Sequence, residues 1–160
     1  MHRSPFIAFV LLTILTFSAQ ADSYYMSYHE YSSTVRRAQA AYQLKDFDEA
    51  YRLGLKCAQL GDKDCQWLLG ILYLKGAGVE RNGLEALAWM TVAIESRQPA
   101  RLEIYDGVME QLPEAARASV QERGQQYVER YGMRAQNVYC TRRADTGSHI
   151  PRVVCNKQRW

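Results

Sequence analysis

Two stretches of this chain repeat one another about 36 residues apart, which constrains the fold more than any other feature. In the first stretch Val35, Ala38, Ala41 and Tyr42 share one helical face, and Lys45-Asp46 breaks it. Phe47, Ala50, Tyr51, Leu53, Gly54 and Cys57 form the returning stripe, which stops near Gly61. In the second stretch Trp67, Leu68, Gly70, Ile71 and Tyr73 precede a loop from Lys75 to Asn82. Its glycines, Gly76 and Gly78, suit the left-handed conformations that end a helix. Leu84, Leu87, Ala88, Trp89, Val92 and Ala93 then form the return. Ala50 corresponds to Ala86 and Leu53 to Trp89, while Ala38 and Tyr42 correspond to Leu69 and Tyr73 at a shorter offset. The longer glycine loop accounts for the difference. An ordinary helical bundle is the alternative, and the repeat offset favours a solenoid over it.

Small residues at Ala38, Gly54, Gly70, Ala86 and Ala88 permit close helix approach. A third helix pair is expected over 99–110 and 113–131, with Pro113 in a first turn and Gly132 at the end. The expected architecture is all-α, a short α-solenoid of helix hairpins with a small disulfide-closed C-terminal β-hairpin or extended tail. It divides into a signal peptide (1–21), a flexible lead-in (22–32), repeats (33–98), a third helix pair (99–132) and a basic tail (133–160).

The head of the chain points to export. Arg3 is followed by an uncharged apolar run from Pro5 to Phe17 and then by Ala19-Gln20-Ala21. Small residues at those two positions fit signal peptidase, and the run is shorter than the roughly 20 residues of a spanning helix. Cleavage is expected before Asp22. Cys57, Cys65, Cys140 and Cys155 remain, an even number that favours disulfides in an exported chain. Three connectivities are possible, and sequence order suggests 57–65 and 140–155. The spacings do not fit zinc. Charge is uneven. In residues 134–160, Arg134, Arg142, Arg143, Arg152, Lys157 and Arg159 stand against a lone Asp145, a net of +5, whereas residues 22–133 carry a net of −3.

The segment DCQWLLGILYLKGAGVERNGLEALAWMTVAIESR, residues 64–97, resembles a Sel-one-like repeat, a relative of the tetratricopeptide repeat. The matching residues are Gln66, Leu69, Gly70, Tyr73, Gly76, Gly78, Val79, Ala86 and Trp89, with Cys65 and Asn82 replacing the family's usual small residue and Asp. Residues 34–61 match more loosely, and residues 99–132, with the helix start Leu112-Pro113-Glu114-Ala115, resemble the capping helices that follow such repeats. The resemblance implies a scaffold that binds other proteins. A cysteine-rich bacterial subgroup ties successive repeats by a disulfide with a spacing like that of Cys57 and Cys65. Some of those relatives are linked to penicillin binding, so the alternative is an accessory of cell-wall metabolism or, at the extreme, a weak β-lactam hydrolase. The tail resembles C-terminal motifs of small exported proteobacterial proteins, which implies the periplasm of a Gram-negative bacterium.

No motif supports catalysis. Ser148-His149 are chain neighbours and lack an orienting acid and an oxyanion hole, and there is no S-x-x-K nucleophile. Gly76-Ala77-Gly78 lacks the G-K-[ST] ending of a phosphate loop. The chain is therefore read as a non-enzyme without cofactor or metal. Trp67, Trp89 and Tyr73 have core spacing. Tyr42, Tyr51 and Tyr105 are candidates for a concave binding face, since tyrosine offers a large contact area at low entropy cost. Arg142, Arg143 and Arg152 are candidates for an acidic partner surface, or else the tail caps the solenoid. The expected partner is a protein or peptide of the cell envelope, with no nucleic acid and no membrane span after cleavage.

Overall fold

The computed structural model describes residues 26–144 and 151–158. The expected signal peptide, the turn signal Asp145-Thr146-Gly147-Ser148 and His149 lie outside them. Among the described residues six helices run in order: α1 (Tyr28–Gln43), α2 (Phe47–Gln59), α3 (Lys63–Lys75), α4 (Gly83–Ala93), α5 (Pro99–Gln111) and α6 (Glu114–Tyr131). A short 3-10 turn (Ile94–Ser96) follows α4, and the strands β1 (Val138–Ala144) and β2 (Pro151–Lys157) close the chain.

Helix starts follow local chemistry. The side chains of Ser27, Asp46, Asp62 and Asn82 accept from backbone N–H groups in the first turns of α1 to α4, satisfying donors that have no intrahelical partner. Pro99 opens α5. Ser27 starts α1 five residues before the expected boundary, and Met26 ahead of it is buried. The lead-in is therefore helical from Tyr28, because its Tyr- and Ser-rich composition concealed a cap.

Burial reproduces the repeat register. Ala38 and Leu69 are fully buried, as are Ala50 and Ala86, and Leu53 matches Trp89. The hairpins α1–α2 and α3–α4 stack through α2 and α3. Gly70 lets α4 approach, for a Cβ there would lie 2.5 Å from Met90 Cγ. Across the turn at Gly61, Cys57 and Cys65 are disulfide-bonded, with Cα atoms 5.9 Å apart and no exposure. In the third unit α6, rather than α5, packs extensively against α4.

A polar network clamps these pieces together. Lys63 is buried, and its Nζ donates to Glu95 Oε2 (2.7 Å), Gln66 Oε1 (3.0 Å) and the Val92 carbonyl (3.0 Å). Gln66 Nε2 donates to the carbonyls of Ala58 and Tyr131, both at 2.9 Å, and Met133 N–H donates to Glu95 Oε2 at 2.9 Å. The ends of α2, α4 and α6 thus converge on the start of α3.

The tail is an antiparallel hairpin in which Cys140 faces Cys155 and the two are disulfide-bonded. Instead of covering the far end of the solenoid, it turns back onto the α2–α3 turn. Val138 is buried there, a Cβ on Gly61 would sit 2.9 Å from Val138 Cγ2, and Lys157 Nζ donates to the Leu60 carbonyl at 3.0 Å.

The two disulfides differ in access, since Cys140 and Cys155 are half-buried. Thiolate attack needs access to sulfur. Mild reduction of the folded protein is expected to open Cys140–Cys155 first, with alkylated-peptide mapping as the readout. Loss of this cross-link is expected to cost about 3 kcal/mol on chain-entropy grounds. Prior alkylation of Cys57 and Cys65 would contradict this.

Candidate functional site

Several aromatic side chains at helix ends and on helix faces remain only partly covered by the core. Tyr42, Phe47, Tyr51, Tyr73, Tyr127 and Tyr131 pack against the first core cluster and stay partly exposed. Phe47 lies 5.8 Å from the Tyr42 ring, and Lys75 Nζ donates to the Tyr42 hydroxyl at 2.8 Å. Tyr51 and Tyr73 meet edge to face at 5.7 Å, and their hydroxyls are 2.9 Å apart.

On the α4–α6 side, Trp89 stacks on Tyr131 at 5.1 Å and contacts Tyr127 at 4.7 Å. The Tyr127 hydroxyl donates to Glu85 Oε2, and the Arg123 guanidinium donates to Glu85 Oε1 at 2.7 and 3.0 Å. Tyr73, Tyr127 and Tyr131 pack against the same core cluster, which contains Trp89. The result is a tyrosine row contributed by α1, α2, α3 and α6, flanked by Lys75 and by the Glu85–Arg123 pair.

Of the sequence candidates, Tyr42 and Tyr51 belong to this row and Tyr105 does not. Tyr105 is buried with Leu87, Met90 and Val120, and its hydroxyl is 2.8 Å from Thr91 Oγ1. It reaches only the floor of a shallow cleft of about 500 Å³ with Asp106, Met109, Arg117 and Gln121. The cause is the placement of α6 beside α4, which turns the inner side of α5 into core. Trp89 is core, as its spacing indicated, and Trp67 is half-buried beneath the Arg101 guanidinium, 5.4 Å from its ring.

The three tail arginines do not converge. Arg143 and Arg152 are cross-strand partners and share a face, whereas Arg142 faces Val153 on the side of the disulfide. Alternation along a strand sends neighbouring side chains to opposite faces, so Arg142 and Arg143 cannot act together.

Burial governs the titration of this region. It pushes the Tyr127 hydroxyl up to about 12, with the hydrogen bond to Glu85 adding to it. It also raises Tyr31 beside Asp62, Tyr73 beside Tyr51, and Tyr105. The unfolded chain loses tyrosine protons from about pH 10, before the folded chain does. Folding stability is therefore expected to fall as pH rises from 10 to 12. Burial lowers Lys63, which acts in the opposite direction, since the unfolded chain keeps that proton longer. Urea midpoints measured across pH 8–12 test the net sign; a midpoint that rises above pH 10 would contradict it.

Sequence reasoning missed Lys63, Glu95, Glu85 and Arg123. Charged residues near helix starts and ends read as solvated, and no local signal marks their long-range pairing. Among the described residues, no group of three or more His, Cys, Asp or Glu is arranged to hold a metal ion. No helix among them is long and apolar enough to cross a membrane.

No protein-family model matches the chain, and no curated protein matches it. Among solved structures it is similar to a protective antigen present in uropathogenic Escherichia coli strains that displays an SLR (Sel-one-like repeat) fold, with 25% identity and a TM-score of 0.60. The match covers 74% of this chain and 27% of the antigen, so this chain spans about a quarter of that protein's length.

Proposed function

We propose that this chain, which has the Sel-one-like repeat fold, is a non-enzymatic scaffold that binds a protein or peptide in an oxidising compartment of the cell envelope, most simply the periplasm. The observation that carries the reading is the tyrosine row. Tyr42, Tyr51 and Tyr73 are rings held in place by hydroxyl or ring contacts yet still partly open. Rigid amphipathic rings give contact area at small entropic cost, as protein interfaces require. Two disulfides and the A-x-A head support the compartment.

A photo-crosslinking amino acid in place of Tyr51 is expected to give one discrete adduct in an envelope extract, while the same group at the exposed Ala118 on α6 gives none. Tyr51→Ala is expected to weaken capture of that adduct's protein by about 10- to 30-fold, the scale of an interface hot spot. Equal labelling at Tyr51 and Ala118 would remove the row from the binding surface.

A further inference from the structure

A shallow cleft of about 240 Å³ lies where the β-hairpin meets the solenoid, lined by Glu95, Ser96, Arg97, Met133, Arg142 and Val153, among others. Its acid is paired with a buried cation through one oxygen, and its hydroxyl is engaged. Glu95 Oε2 accepts from Lys63 Nζ and from Met133 N–H, and Ser96 Oγ donates to the Ala93 carbonyl at 2.8 Å. Its two cations are not. Arg97 and Arg142 are exposed, and among the described residues neither has a carboxylate within ion-pair distance. Arg101 and Arg123, by contrast, hold Asp64 and Glu85 at 2.6 and 2.7 Å.

Both cations stand on fixed backbone. Arg97 occupies a left-handed position, φ 55°, with its N–H bonded to the Ile94 carbonyl at 2.8 Å. Arg142 sits in β1, two residues from the disulfide that closes the hairpin. Guanidinium forks on fixed backbone lose less freedom on meeting a carboxylate.

We infer that the cleft between Arg97 and Arg142 is a carboxylate subsite that takes the acidic side chains of a partner peptide. The inference deepens the scaffold reading and rests on it for the source of the peptide. The tail's charge favours the same partner, since residues 134–160 carry a net of +5 while the body is acidic. Arg143 and Arg152 face the other way and contribute only long-range attraction.

Fluorescence anisotropy of the disulfide-bonded protein with labelled hexaglutamate tests this. Arg97→Ser/Arg142→Ser is expected to weaken binding about tenfold or more, and Arg143→Ser by less than about twofold. Hexaglutamine is expected not to bind. Equal losses for Arg143→Ser and the double variant would show general basic attraction and overturn the subsite, as would equal binding of hexaglutamine. Binding to phosphatidylglycerol vesicles that the double variant abolishes, without hexaglutamate binding, would assign the cleft to lipid and overturn the peptide assignment. Tyr51→Ala is expected to leave hexaglutamate affinity unchanged. Hexaglutamate failing while capture at Tyr51 persists therefore removes the subsite alone.

Discussion

Lys63→Ala is expected to lower folding stability by about 3–5 kcal/mol, the cost of breaking a buried ion pair by removing one partner. Lys63 is 2% exposed and joins Glu95, Gln66 and the Val92 carbonyl, so its loss leaves three acceptors short of a donor. The melting temperature is expected to drop by about 10–20 °C for a domain of this size. The pair itself need not be a net gain over an apolar substitute. Lys63→Met/Glu95→Gln keeps an acceptor for Met133 N–H and removes both charges, so it is expected to recover much of the loss. Differential scanning calorimetry of the two variants reads both effects. A change of less than about 1 kcal/mol for Lys63→Ala would mean that the network contributes no more than an exposed pair does.

Gly78→Ala is expected to cost about 2–4 kcal/mol. Gly78 has φ 69°, and a Cβ there would lie 2.1 Å from the Phe47 carbonyl oxygen and 2.4 Å from its carbon. The neighbour is backbone, so it cannot swing aside as a side chain would. The α3–α4 loop or the start of α2 must move, which adds overpacking strain to the left-handed penalty. Gly83→Ala is the control, with nothing within 4 Å of the added carbon, and is expected to be neutral or slightly stabilising. Urea unfolding of both variants separates them. A Gly78→Ala protein as stable as Gly83→Ala would show that the loop does not lock the second hairpin onto the first.

Gly78 also shows what the sequence could reveal. As a residue matching the repeat, it was legible as a loop glycine, and so was the helix order around it. Ala50, Ala86, Leu53 and Trp89 kept their register because helical periodicity and burial are local consequences of one another. Cys57–Cys65 followed from the short step across Gly61 and the resemblance to disulfide-tied repeats.

Long-range choices were not legible. That α6 would pack beside α4, burying Tyr105, depends on which apolar stripe wins the open side of α4. That choice carries no periodic mark. A disulfide-closed hairpin or extended tail was legible from Cys140 and Cys155, but its return to Leu60 and Gly61 was not. The division of Arg142 from Arg143, by contrast, is local and follows from strand alternation once both lie in β1. The prominence of Arg97 depends on the hairpin lying beside the turn that follows α4.

Hydrogen–deuterium exchange of the protein with and without the partner captured at Tyr51 tests the account most directly. Binding through the tyrosine row is expected to slow exchange in peptides spanning 42–53, 69–75 and 123–131, and to leave 104–118 on α5 and early α6 unchanged. Protection confined to α5, or none in the three row segments at saturating partner, would contradict it.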